Sequence, residues 1–337
     1  MYKPAHLYNA SLSSGEGTHK AIKATKEFLN SLGLFPETDA DFTVNLLDDS
    51  DNIVATGSLV GNVLKYIAVS PTEQGNNACA QVVSELASHA YRNGIIKLFL
   101  YTKPENESLF SSLGFYTLAK TEYACMMEND KFGLDKFIKS LSTVPEEYNE
   151  SQTVIGSIVC NCNPITNGHL YLMETASKAC RVLHVFVLSE DKSMFPTDVR
   201  FELVKKSTAH IKNICLHKSS DYIISSATFP TYFIKDLANA ENINADLDLT
   251  LFGSKIAPAL GITKRFVGTE PFCAVTNSYN QRMKAILPKF DIELVEIERT
   301  GGISASKVRK YISEKNFEAI EKIVPKPCYE YIIANYA

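Results

Sequence analysis

The sequence predicts an α/β protein of two domains, a mixed α+β domain at the N-terminus and then a domain built on a doubly wound, mostly parallel sheet. Three observations predict this. At 337 residues the chain exceeds one ordinary core. Strand and helix patterns are mixed up to about residue 130, whereas beyond about residue 150 short apolar strand runs alternate with helical spacing. Between them the apolar pattern loosens into Ser, Thr, Pro and Glu and ends in Pro145-Glu146-Glu147-Tyr148-Asn149-Glu150, so the domains read as residues 1–140 and 150–337.

In the first domain residues 18–32 carry helical spacing. Residues 41–47 and 53–59 then alternate as strands around the polar turn Asp48-Asp49-Ser50-Asp51-Asn52, an antiparallel hairpin. A third strand follows at 63–69, a polar loop at 71–77 and a helix to about Asn93. An apolar strand at 95–101, a helix at 106–113 stopped by Gly114-Phe115, and a last strand at 116–127 complete the domain. In the second domain the strand runs are 153–160, 182–188, 214–216, 265–267 and 292–297. No internal repeat is visible.

A hydrophobic fraction of 45% with 21% charged residues is that of a folded globular protein. The net charge of -4 lacks the Lys and Arg excess that displaces counterions from a polynucleotide, so no nucleic-acid partner is expected. No apolar run approaches the ~18 residues of a membrane span and no basic tip precedes one, so no membrane partner and a cytoplasmic location are expected. The eight cysteines lack paired zinc-site spacings and are expected to be reduced. Cys160 and Cys162 are near neighbours, yet a Cys-x-Cys on a strand points both thiols to one face without supplying other ligands, so no metal residues are assigned.

The strand Val154-Ile155-Gly156-Ser157-Ile158-Val159 runs into Asn161-Cys162-Asn163-Pro164-Ile165-Thr166-Asn167-Gly168-His169, and a helix starts near Gly168. Ligands of open α/β sheets bind at such a place, where free N–H groups and the helix dipole favour phosphate. The Thr166 hydroxyl can donate to a phosphate oxygen, and the His169 imidazole can stabilise charge building on an α-phosphate. Read alone, the segment is equally a turn with a capping His. Near the other end, Thr300-Gly301-Gly302 leads into Ile303-Ser304-Ala305-Ser306-Lys307-Val308-Arg309, where Ser304 sits as an N-cap, Ser306 adds a hydroxyl, and Arg309 follows about one turn later as a phosphate-binding guanidinium.

Together these segments resemble the paired signature of the nucleotidylyltransferase superfamily, a (His or Thr)-x-Gly-His loop and an Ile-Ser-x-Ser-x-x-Arg helix. Within it the chain is most similar to the citrate (pro-3S)-lyase ligases. That likeness rests on Asn163 to His169, Tyr222-Ile223-Ile224-Ser225-Ser226-Ala227-Thr228-Phe229-Pro230, Val267-Gly268-Thr269-Glu270-Pro271-Phe272 and Ser304 to Arg309, and spans essentially the whole chain. The resemblance implies a Rossmann-like ATP-binding domain. It also implies acetyl-AMP formation from ATP and acetate with release of pyrophosphate. The acetyl group then passes to the thiol of a dephospho-CoA-like prosthetic group on the acyl-carrier subunit of citrate lyase. Mg²⁺ is expected, bound mostly through the nucleotide.

The residues fit that chemistry separately. No carboxylate or second His is placed to activate a nucleophile, which suits an acid such as acetate, ionised at neutral pH because a free carboxyl titrates near ~4. Catalysis then rests on position and charge neutralisation. The proposed catalytic residues are His169, Lys192 and Arg309. The proposed nucleotide-binding residues are Asn163, Thr166, Gly168, Arg200, Gly268, Glu270, Ile303, Ser304 and Ser306. Arg200 also reads as a solvated helix charge, and Glu270 as a cap of the helix near Pro271. The alternative activity is adenylyl transfer to a phosphorylated small molecule of the pantetheine phosphate or nicotinamide mononucleotide type, which uses the same core motifs.

In the first domain Val69 to Cys79 resembles the acetyl-CoA pyrophosphate loop of the N-acetyltransferase (GNAT) fold, and Asn106 to Phe115 its second landmark. Asn77 and Cys79 stand where that fold prefers Gly, which argues against acetyltransferase activity. A groove for the CoA-like arm of the carrier and a docking domain remain the two readings.

Overall fold

A computed structural model describes residues 2–8, 16–36, 40–141, 144–189, 194–223, 231–234, 239–269, 274–298 and 302–337. In the N-terminal part the elements are β1 (Lys3–Tyr8), α1 (Glu16–Ser31), β2 (Phe42–Leu47), β3 (Ile53–Val60), β4 (Val63–Val69), α2 (Ala78–Arg92), β5 (Phe99–Thr102), α3 (Glu107–Ser112), β6 (Tyr116–Lys120), β7 (Cys125–Glu128) and α4 (Gly133–Ser140). The strands form one sheet in the order β1-β2-β3-β4-β5-β7-β6. Neighbours pair antiparallel except β4 and β5, which run parallel and share only the partners Val63 with Phe99 and Leu64 with Leu100. Beyond these rungs they diverge. The amphipathic α2 buries Val82, Leu86 and Ala90 on Phe42, Val44 and Ala55 of the sheet.

The observed elements differ from the sequence reading where local hydrogen bonding competes with apolar pattern. Residues 116–127, read as one strand, are two, because the Thr121 N–H donates to the Ala124 carbonyl at 2.8 Å and turns the chain without Gly or Pro. The strand expected from Ile95 starts only at Phe99, since the Ile95 N–H closes the end of α2 on the Ala90 carbonyl at 2.9 Å. Strand β1 has no alternating apolar pattern. It pairs through its backbone with β2, and an edge position tolerates Pro4.

The later elements are β8 (Ile155–Cys160), α5 (Asn167–Lys178), β9 (Val182–Val187), α6 (Thr197–Ser207), β10 (Ile214–Lys218), α7 (Ala240–Leu251), α8 (Ala257–Leu260) and β11 (Lys264–Gly268). They continue with α9 (Ala274–Ile286), β12 (Glu293–Ile297), α10 (Ala305–Ser313), α11 (Phe317–Glu321) and α12 (Lys326–Tyr336). The five strands form an all-parallel sheet in the order β10-β9-β8-β11-β12. One face carries the core of Ile158, Met173, Val185, Leu203, Phe266 and Val308. The chain reverses direction across the sheet at β8. There β8 shares six rungs with β9 but only Gly156–Lys264 and Ser157–Arg265 with β11, so a crevice opens between the carboxyl ends of β8 and β11.

Two compact units result, Met1–Leu134 with Phe229–Leu247, and Asp135–Thr228 with Asp248–Ala337. Residues 229–247, which the sequence reading allots to the second domain, thus group with the first. Within the first unit the Tyr232 ring meets Tyr66 edge-on at 4.6 Å, a contact between residues far apart in the chain. Among the described residues no helix is long and apolar enough to cross a membrane.

Candidate active site

Thr166, buried and extended (φ -123, ψ 166), is the N-cap of α5. Its Oγ1 accepts from the His169 N–H at 3.4 Å, and its own N–H donates to His169 Nδ1 at 3.1 Å. A capping box results in which an imidazole stands where Glu or Gln is usual. The consequence is chemical. A ring nitrogen that accepts from an amide carries no proton, so the neutral imidazole holds its proton on Nε2. Thr166 Oγ1 lies 2.9 Å from the same Nδ1.

Ser304 caps α10 in the same way, extended (φ -140, ψ 151) and accepting from the Lys307 N–H at 3.2 Å. The Ser304 and Ser306 hydroxyls are 3.0 Å apart, two groups able to turn toward one anion. The two helix starts meet. A Cβ placed on Gly168 would lie 3.9 Å from the Ile303 carbonyl oxygen, and Arg309 Nη1 donates to the Asn163 carbonyl at 2.5 Å. Two partly positive helix ends with an arginine and an imidazole therefore face one region, an arrangement suited to a polyphosphate. The Asn163 side chain is engaged as well, its Oδ1 accepting from the Phe195 N–H at 3.2 Å.

Arg200 corrects the sequence reading. Its side chain is fully buried, and its guanidinium donates to the carbonyls of Phe195, Asn161 and Leu188, to Asn161 Oδ1 and to Thr197 Oγ1, at 2.7 to 3.0 Å. These contacts gather the ends of β8 and β9 and the start of α6. Arg200 shapes the loops around the site and is not a solvated helix charge. A charge is tolerated there because several oxygens replace its water. Gly268 ends β11 at the crevice, and its carbonyl accepts from Asn280 Nδ2 at 3.2 Å. Lys192 and Glu270 lie outside the described residues.

The Cys160 and Cys162 thiols are 3.2 Å apart. Cys162 follows the end of β8 in a left-handed conformation (φ 49), and its hydrogen bond to Cys160, with burial, pushes its thiol well above the usual range. All cysteines among the described residues are free. Also among the described residues, no group of three or more His, Cys, Asp or Glu side chains could hold a metal ion. Sequence reasoning passed over Asn161, Phe195 and Asn280, which act on site residues only through contacts made in the fold. The one available signal was a polar residue at an apolar-phase position of α9.

Residues 155–332 match the family model described as citrate lyase ligase C-terminal domain. The citrate (pro-3S)-lyase ligase of Klebsiella pneumoniae is 40% identical over 312 residues, covering 90% of each chain. That of Escherichia coli K12 is 39% identical over 324 residues, covering 93% of this chain and 91% of the relative. A phosphopantetheine adenylyltransferase of Clostridium botulinum is 31% identical over 100 residues, which is 28% of this chain and 63% of that protein. With both halves of the molecule aligned to full-length relatives of one kind, the chain belongs to the citrate lyase ligase family of enzymes.

Proposed function

We propose that the protein joins acetate to the citrate lyase acyl carrier in two steps at the α5 and α10 helix starts. In the first step an acetate oxygen attacks the α-phosphorus of ATP, the bond to the β-phosphate oxygen breaks, and acetyl-AMP and pyrophosphate form. No proton moves, so no general base is required. The His169 Nε2–H donates to an α-phosphate oxygen as charge spreads over it, and Ser304, Ser306, Arg309 and the N–H groups of both helices bind the departing phosphates. Lys192 is assigned to the same charge. Gly268 and Glu270 hold the ribose or adenine. Magnesium belongs to the triphosphate in this reading and no residue is assigned to it. In the second step the carrier thiol gives its proton to water and its sulfur attacks the acetyl carbonyl; a carbon–sulfur bond forms, the bond from the acetyl carbon to the AMP oxygen breaks, and AMP leaves.

The observation that carries this reading is the convergence of two helix N-termini from opposite ends of one domain. The names of relatives give no mechanism; two phosphate-suited helix ends beside a His with its Nδ1 held by an amide support this one. The test is exchange of labelled pyrophosphate into ATP. Exchange that requires acetate is expected. Exchange that requires phosphopantetheine instead would replace the reading with adenylyl transfer to a phosphorylated small molecule, an activity the short match to an adenylyltransferase keeps in view.

For the first unit we propose a groove for the carrier's pantetheine-like arm. A cavity of about 240 Å³ lined by Leu64, Ile67, Leu100, Tyr101, Tyr232 and Phe233 lies where β4 and β5 diverge. Two parallel strands that part there leave a slot suited to a narrow chain. Calorimetric titration of the full chain with dephospho-CoA should give binding that Leu100→Trp abolishes. No heat of binding from the unaltered chain would leave docking as the role of this unit.

A further inference from the structure

The sheet face opposite the apolar core of the second unit carries a buried polar row. Arg265 on β11 is the register partner of Ser157 on β8, which is the partner of His184 on β9, so the three side chains project to the same side. The Arg265 guanidinium lies 4.7 Å from the Phe252 ring centre, and its Nε has no hydrogen-bond partner among the described residues. Burial works against the guanidinium's charge, which the Asp248 carboxylate of α7 only partly offsets; that carboxylate accepts from the Tyr279 hydroxyl of α9. The buried hydrogen bond between Tyr279 and Asp248 is suited to fixing one arrangement of α9 against α7.

The next residue on α9 shows which arrangement. Asn280, 3% exposed, donates to the Gly268 carbonyl at 3.2 Å. The Thr269 N–H of the same peptide unit donates toward β12, to the Ile297 carbonyl at 2.9 Å. Since C=O and N–H of a trans peptide point in opposite directions, the Gly268 carbonyl faces away from β12, toward the crevice beside β8. Asn280 therefore sits at the crevice and satisfies the last carbonyl of β11, while Tyr279 ties the same turn of α9 to Asp248 of α7.

We propose that Asn280 is a positioning residue for nucleotide recognition: through the Gly268 carbonyl it fixes the end of β11 that faces ATP, with the Tyr279–Asp248 hydrogen bond setting the place of α9. This rests on the reading that Gly268 contacts the nucleotide. The test uses the full chain with Asn280→Asp, which keeps the shape and puts an acceptor against an acceptor, and Tyr279→Phe, which removes only the hydroxyl. In acetate-dependent exchange Asn280→Asp should raise KM for ATP about tenfold at near-constant kcat, and Tyr279→Phe by a smaller factor. Equilibrium dialysis with labelled ATP should show the same loss of affinity, and it reads the proposal even where exchange fails. An unchanged ATP affinity in Asn280→Asp, or a fall in kcat alone, overturns the positioning role. Absence of exchange in the unaltered protein overturns the activity instead. Should Asn280→Asp not fold, Asn280→Ser is measured by dialysis against the same criterion.

Discussion

At His169 the orientation and the protonation of the ring come from one contact. The Thr166 N–H both anchors Nδ1 and leaves the proton on Nε2. His169→Ala should lower turnover by about 10²- to 10³-fold while ATP still binds, as expected for a donor that strengthens only in the transition state. An unchanged rate in the exchange assay removes His169 from the mechanism. The second histidine site behaves differently. His184 and His217 hydrogen-bond at 2.9 Å, and burial pushes the imidazoles down to about 4 and about 3, with His184 adding to the effect on His217. Folded, both are neutral; unfolded, both take up protons below about 6.5. Their contribution to stability is therefore complete above that pH and is lost as pH falls toward 4. Two protons steepen the decline by up to about 2.7 kcal/mol per pH unit. Urea unfolding across pH 4 to 7 should show that slope flattened in His184→Phe/His217→Phe, and an equal slope in both proteins would mean the pair titrates normally.

At the scale of elements, β8 works because its second residue has no side chain. A Cβ on Gly156 would meet Cys180 Sγ and come within 2.7 Å of Phe266 Cε2, so the turn between α5 and β9 and the strand β11 pack against bare backbone. Gly156→Ala should cost about 1–3 kcal/mol through overpacking, read as a lower urea midpoint with an unchanged slope. A midpoint equal to that of the unaltered protein would mean the neighbours yield freely. Part of this half was legible in the sequence: the run ending at Cys160 and the cap Ser304 appear where residue type puts them, since apolar runs and hydroxyl caps are local signals, whereas Thr166, read as a phosphate donor, is itself the cap of α5. The turn after Lys120 was not, because a threonine hydroxyl and two backbone groups do the work of the absent Gly or Pro.

Across the whole molecule, the first unit is not completed by the first part of the chain. Tyr232 and Phe233, within the segment grouped with that unit, line its cavity. A fragment ending at residue 140 should therefore expose apolar lining, bind a hydrophobic dye more strongly than the full chain, and melt lower. Equal dye binding and melting would show that the segment contributes nothing to that unit.

The sequence by itself determined the two-part organisation, the alternation that makes a parallel sheet, and the pair of phosphate-suited helix starts, because each is encoded within a few neighbouring residues. Only the tertiary structure decided that Gly168 faces Ile303 and that Arg200 is spent on loop carbonyls. It alone decided that Asn280 holds the end of β11 and that residues 229–247 return to the first unit. Those outcomes depend on which unsatisfied group finds a partner across more than a hundred residues of chain or between separate elements. Residue type fixes what a side chain can donate or accept, and packing fixes to whom.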